Sequence, residues 1–226
     1  MKVIILSAGM GSRLNYELPK SLIDIDGRKM LDIIIEQLNL TGVVNNDITL
    51  ITGYKDYLFS EYNINKIQNK KFKISNQVHS IYCAESLTTE KDVLVIYGDV
   101  LFEYSIIMDL INSQNDIVVP SFVNFKELWN QRGDIDYKDL ESFSVDDEGK
   151  ILDIGNNVND IDDVQGQFMG IVYFGNYKFS EFINYYKDLL SSSSTNKGLK
   201  IETTTFLNYL VNNGVNIQSI NYEGYF

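Results

Sequence analysis

The run Lys2-Val3-Ile4-Ile5-Leu6 passes without a break into Ser7-Ala8-Gly9-Met10-Gly11-Ser12-Arg13-Leu14, and Pro19-Lys20 follows a few residues later. Val3 to Leu6 is continuously apolar, which suits a strand of a sheet covered on both faces. The strand empties into a loop of small residues. Gly9 and Gly11 let the backbone turn tightly and bring its N–H groups close to an anion. Arg13 and Lys20 place fixed positive charge beside those groups. Together they offer what a triphosphate needs. A dinucleotide fingerprint fits less well, since it needs a third glycine where this chain has Ser12 and Arg13. A Walker loop needs Gly-Lys-Ser/Thr, and Gly11 is followed by Ser12-Arg13 instead. The plain alternative is a glycine-rich turn with two solvated cations; the whole string, with Pro19-Lys20, favours the nucleotide.

Downstream, strand and helix patterns alternate. Met30, Ile33, Ile34 and Leu38 recur at helical spacing and predict a helix over 29–40. Strands are expected at 48–52, 72–74, 93–97 and 117–119. Helices are expected from Asn76, a candidate cap, to Leu87 and over 106–111. Such a βαβ series predicts a Rossmann-like α/β fold, a mostly parallel (mixed) sheet with helices on both faces. Ligands bind such sheets beyond the carboxyl ends of strands. The loop after Leu6 and the Gly98-Asp99 pair after Tyr97 would therefore share one edge.

The pattern changes between Trp129 and Gly155, where acidic residues crowd (Asp134, Asp136, Asp139, Glu141, Asp146, Asp147, Glu148). Phe143–Val145 and Ile151–Ile154 flank Asp146-Asp147-Glu148-Gly149 and read as a small acidic β-hairpin insertion. A strand at 168–174, a helix at 177–190, a loop at 191–198, a helix at 201–213 stopped by Gly214 and a strand at 215–220 complete the chain. One domain over 1–226 is expected, with an insertion or lid over about 125–165.

Composition narrows the function classes. The net charge of −12 is opposite to that of a nucleic-acid binder. It would also repel an anionic substrate, so nucleotide binding needs a local exception, from Arg13, Lys20 and a bound cation. The single cysteine, Cys83, cannot form an internal disulfide and fits a cytoplasmic location and a small core residue. The one histidine, His79, leaves no Cys/His zinc cluster and reads as structural. Val3–Leu6 is shorter than the roughly 7–15 residues of a signal-peptide core. No stretch nears the roughly 18 apolar residues of a membrane span, so no membrane insertion is expected. The sequence leaves oligomeric state open, a homo-oligomer included.

Ala8-Gly9-x-Gly11-Ser12-Arg13 with Pro19-Lys20 resembles the opening of the sugar-phosphate nucleotidyltransferase superfamily. Asn76-Gln77-Val78-His79-Ser80, Tyr97-Gly98-Asp99, Leu128-Trp129-Asn130-Gln131-Arg132 and Gln165-Gly166-Gln167-Phe168-Met169-Gly170 are similar to its phosphocholine cytidylyltransferase branch. The resemblance implies Mg²⁺-dependent transfer of a cytidylyl group from CTP to a small phosphate or phosphonate. Phosphocholine, 2-aminoethylphosphonate and phosphoglutamine are acceptors of that kind. The products usually decorate surface polysaccharides, capsules among them, or lipids. The resemblance places Leu6, Ala8, Gly9, Met10, Gly11, Ser12, Arg13, Lys20, Asn76, Ser80 and Gly98 at the nucleotide. It makes Arg13, Lys20 and Asp99 catalytic and Asp99 the metal ligand, and puts Trp129, Arg132 and Glu202 at the acceptor. Residue by residue, Asp99 also reads as a turn cap, Asn76 and Ser80 as helix-capping groups, Trp129 as packing and Glu202 as a helix-start acid.

The chain departs from the family twice. Asn156 and Asn157 follow Ile154-Gly155 where the family has a lysine reaching the α-phosphate. The family's last metal-site aspartate lies past a glycine-aromatic turn, and this chain stops at Phe226. Sugar-1-phosphate nucleotidyl transfer with another NTP, and a non-catalytic nucleotide-binding regulatory domain, are the alternatives.

Overall fold

A computed structural model describes residues 1–11, 17–131, 140–192 and 196–223. In chain order the strands are β1 (Lys2–Ser7), β2 (Asp24–Ile25), β3 (Arg28–Lys29), β4 (Ile48–Thr52), β5 (Asn65–Gln68), β6 (Val93–Tyr97), β7 (Ile117–Phe122), β8 (Glu141–Val145), β9 (Ile151–Asn157), β10 (Gln167–Phe168), β11 (Ile171–Phe174) and β12 (Gln218–Tyr222). The α-helices are α1 (Met30–Leu40), α2 (Gln77–Tyr82), α3 (Tyr104–Asn112), α4 (Phe125–Gln131), α5 (Lys178–Ser192) and α6 (Thr203–Asn212). The main sheet runs β10-β7-β11-β6-β1-β4-β5, with β12 added on β7. The pairs β1–β4, β1–β6, β4–β5 and β7–β12 are parallel. β11 runs against β6 and β7, and β10 against β7, so the sheet is mixed as expected.

Val3, Ile4 and Ile5 are all fully buried, as are Val93 to Ile96. Successive strand residues point to opposite faces, so both faces of the sheet are covered. The helices form two packed groups, α1 with α3, and α2 with α5 and α6. The hairpin β8–β9 is a separate two-stranded sheet, yet Phe143, Ile151 and Ile154 join the common core. Its tip residues Asp147 and Glu148 are exposed.

Four expectations need correction. Residues 72–74 form a turn, and the strand lies earlier at Asn65–Gln68. That strand is a largely exposed, polar sheet edge with no apolar alternation to announce it. The helix from Asn76 ends at Tyr82, and a separate 3₁₀ turn covers Glu85–Thr89. The strand at 168–174 is broken at Gly170, because β10 pairs only with β7 whereas β11 lies between β6 and β7. The last strand lies at Gln218–Tyr222, since its register is set by pairing with β7.

Gly155 decides how the hairpin meets the body. It sits at φ +79°, and a Cβ there would lie 2.6 Å from the Thr204 carbonyl carbon. β9 therefore rests directly on the first turn of α6. Gly155→Ala combines backbone strain with a collision against main chain, at a cost of about 3 kcal/mol. For a chain of this size that lowers the melting temperature by roughly 6–12 °C. A thermal melt within 2 °C of wild type would contradict the close packing described.

Candidate functional site

The parallel register of β1 with β6 places Leu6 beside Tyr97. The next residues of both strands therefore leave the sheet side by side. Gly98 N–H donates to Leu6 O at 2.9 Å, and a Cβ at position 98 would lie 2.4 Å from Ser7 Oγ. Only a residue without a side chain allows the approach. It sets Asp99 against the Ala8–Gly11 loop. Lys20, in the 3₁₀ turn Lys20–Leu22 after the loop, donates from Nζ to Asp99 Oδ2 at 2.8 Å.

These groups open into a cavity of about 1150 Å³. Leu6, Ala8, Gly9, Gly11, Lys20, Asn76, Ser80, Gly98, Asp99, Trp129 and Glu202 all line it, so eleven of the residues singled out from sequence converge. Met10 does not line it; its side chain turns outward and is 41% exposed. Ser12, Arg13 and Arg132 lie outside the described residues. Asp99 makes an ion pair rather than a turn cap. Among the described lining residues Lys20 is the only lysine or arginine.

On one wall, Phe72 approaches Ala8 and Gly53 closely enough that a Cβ on Gly53 would meet its Cβ at 2.7 Å. Asn76 and Ser80 of α2 continue that wall, with parts of both side chains already engaged. Asn76 Nδ2 donates to Lys200 O at 2.9 Å, and Ser80 Oγ accepts from Asn69 Nδ2 at 3.0 Å. On the other wall, Trp129 is buried and donates from Nε1 to Gln167 Oε1 at 3.3 Å. Trp129 is thus core packing and cavity wall at once. Glu202 is the N-cap residue of α6 but makes no side-chain capping bond, which leaves its carboxylate at the cavity.

Sequence reasoning missed several groups. Tyr97, Glu141, Gln167 and Gln77 line the cavity. Ser7 and Ser21 do too, both close to Gly98, their buried hydroxyls without a hydrogen-bond partner among the described residues. Glu141 was hidden in a run of solvated acids. Burial raises its carboxyl pKa; the Thr204 hydroxyl bond lowers it, and the charge of Glu202 raises it again. Asn156 and Asn157 also line the cavity, but Asn156 Nδ2 donates to Asp153 Oδ1 at 2.5 Å and supplies no cation. His79 lies outside the lining, buried with Nδ1 3.3 Å from the Tyr186 hydroxyl, and burial lowers its pKa. Burial also raises the Cys83 thiol, consistent with a packing role.

Mg²⁺ is normally held by one or two carboxylates plus substrate phosphates. Asp99, in the cavity lining with the glycine loop, fits such a donor set. No group of three or more His, Cys, Asp or Glu able to hold a metal alone occurs among the described residues. Nor is any described helix long and apolar enough to cross a membrane.

A family model described as a MobA-like NTP transferase domain matches residues 3–129. The CTP:phosphoglutamine cytidylyltransferase of Campylobacter jejuni is 27% identical over 242 residues, covering 99% of this chain and 93% of that protein. The bifunctional protein GlmU of Thermosipho africanus is 30% identical over 109 residues, 45% of this chain and 22% of that protein. Among solved structures, the inositol-1-phosphate CTP transferase of T. maritima superposes with a TM-score of 0.73 at 17% identity, covering 99% of this chain and 86% of that one. The CTP:phosphocholine cytidylyltransferase of Streptococcus pneumoniae does so with 0.73 at 19% identity, covering 99% and 90%.

Glu141 supplies a test of the site's electrostatics. A carboxyl pKa raised by folding means that ionisation costs stability, fully above the folded pKa and not at all below the unfolded value. Glu141→Gln removes that cost. The variant should melt above wild type at pH 7.5, and the gap should close as pH falls toward about 4. A gap that is absent at pH 7.5, or widens on acidification, would show that Glu141 is not held against its charge.

Proposed function

The chain belongs to the MobA-like NTP transferase family, and from that we propose that it is a cytidylyltransferase joining CTP to a small phosphorylated acceptor. The acceptor we favour is phosphoglutamine or a similar phosphorylated amine, giving a CDP-linked product and pyrophosphate. The full-length likeness to the Campylobacter jejuni enzyme supports that choice. Surface-polysaccharide synthesis in the cytoplasm is part of the same reading.

The observation that carries it is the cavity that gathers these residues. Its 1150 Å³ exceeds the roughly 300–1,000 Å³ typical of one small ligand. Its lining brings the glycine loop, Lys20 and Asp99 together with Trp129, Glu141 and Glu202. Loop amides and Lys20 would hold the triphosphate. The acceptor phosphate oxygen would attack the α-phosphorus in line, and pyrophosphate would leave. Such a transfer needs positioning and charge neutralisation rather than a protein nucleophile. Neither histidine nor cysteine occurs among the described lining residues. Asp99, freed from Lys20 by the incoming phosphates, would hold Mg²⁺. When bound, Mg²⁺ would neutralise charge on the phosphates of the nucleotide. Glu141 and Glu202 would receive a positively charged amine on the acceptor, and Arg13 and Arg132 belong to the same proposal as phosphate-binding cations.

Pyrophosphate release should occur with CTP and phosphoglutamine, phosphocholine or 2-aminoethylphosphonate. Asp99→Asn should reduce it at least about a hundredfold while leaving measurable CTP binding. Full turnover by that variant would remove Asp99 from the reaction. Turnover confined to sugar 1-phosphates with another NTP would refute the acceptor assignment, and CTP binding without turnover would indicate a regulatory domain.

A further inference from the structure

β4 runs parallel to β1 in a register that sets Thr52 beside Ser7. The turn that leaves β4, Gly53-Tyr54-Lys55, therefore departs next to the glycine loop. It grips the chain there at two points. Tyr54 N–H donates to Ala8 O at 3.1 Å, and Lys55 Nζ donates to Glu17 O at 2.7 Å. Ala8 opens the loop, and Glu17 shortly precedes Pro19-Lys20. Gly53 permits the approach, since a Cβ there would lie 2.8 Å from Ala8 O. Lys55 itself sits in the left-handed region, at φ +47° and ψ +44°. That backbone suits glycine or asparagine, and a lysine is strained in it. The conformation turns the chain from β4 into the 3₁₀ turn Asp56–Phe59, whose Phe59 is fully buried. Strain of this kind persists only where the surroundings enforce it, and it gathers at functional sites. A residue better suited to the backbone would lack the ammonium that reaches Glu17.

We infer that Lys55 is a positioning residue for the nucleotide: its ammonium pins the Glu17 carbonyl, and so holds Lys20 and the amides of the glycine loop in place before a triphosphate arrives. This rests on the cavity being the nucleotide site. Lys55 is not part of the cavity lining, so it acts through the loop and not on the substrate. Tyr54 secures the entry of the loop through its main chain, which any residue could do; Lys55 secures the exit through its side chain, which few could. A loop fixed at both ends in advance loses less conformational freedom when it binds an anion, and the difference appears as affinity. The acceptor is held by other walls of the cavity and should not sense the change.

The test compares wild type with Lys55→Asn by calorimetric titration of CTP with Mg²⁺, by KM for CTP and for the acceptor, and by thermal melting. Asparagine accepts the left-handed backbone, so the melting temperature should stay within about 2 °C of wild type. CTP should bind about threefold to tenfold more weakly, with KM for CTP rising in step and KM for the acceptor unchanged. The deficit should persist at about 0.5 M salt, which screens the field of a cation acting from outside the cavity. If wild type binds CTP and Lys55→Asn binds it equally well, the inference falls and the cytidylyltransferase reading stands. A deficit that vanishes at high salt overturns the inference too, since Lys55 would then act only as a distant charge. Should Lys55→Asn fold poorly, Lys55→Gly fits the same backbone and is read by the same criteria. Wild-type protein that neither binds nor uses CTP overturns both readings.

Discussion

Position 98 has no room for a side chain, and the arrangement of the site follows from that. The β1–β6 register brings Leu6 beside Tyr97, and Gly98 then donates straight back to Leu6 O. Asp99 is delivered to the mouth of the glycine loop, where Lys20 reaches it. The carboxylate, the cation and the loop amides are thus fixed by buried strands that cannot slide without exposing Val3 to Ile5 and Val93 to Ile96. A second close approach, Gly155 over Thr204, seats the acidic hairpin on α6 and adds Glu141 and Glu202 to the cavity lining.

On the proposed reading this geometry would reconcile an acidic protein with an anionic substrate. The net charge of −12 lies mostly on exposed side chains, where solvent and salt screen it. Inside the cavity the local balance matters. Lys20 and Asp99 neutralise each other; on the proposed reading a triphosphate would offer Lys20 another partner and free Asp99 for a cation. On the same reading Glu141 and Glu202 would repel a bare phosphate and favour one that carries an amine.

The fold was legible because buried parallel strands announce themselves: Val3–Leu6 and Val93–Tyr97 are unbroken apolar runs, Ile48–Thr52 alternates only aliphatic residues and threonine, and α1 shows helical spacing. The polar edge strand at 65–68 and the break at Gly170 were not, since pairing partners rather than local preference set them. At the site, the loop, Lys20 and Asp99 could be read because their residue types and order suit phosphate binding. Glu141 and Gln77 could not, because one sits among solvated acids and the other beside the more conspicuous Asn76. Their place at the cavity is visible only in the folded chain.

The central claim is that the cavity joins two substrates by holding them, with no nucleotide ever bonded to the protein. Exchange of labelled pyrophosphate into CTP tests it most directly. The account predicts no exchange when enzyme, Mg²⁺, CTP and pyrophosphate are mixed without acceptor, and rapid exchange once the acceptor that supports turnover is added. Exchange in the absence of any acceptor would reveal a covalent nucleotidyl-enzyme and contradict the account.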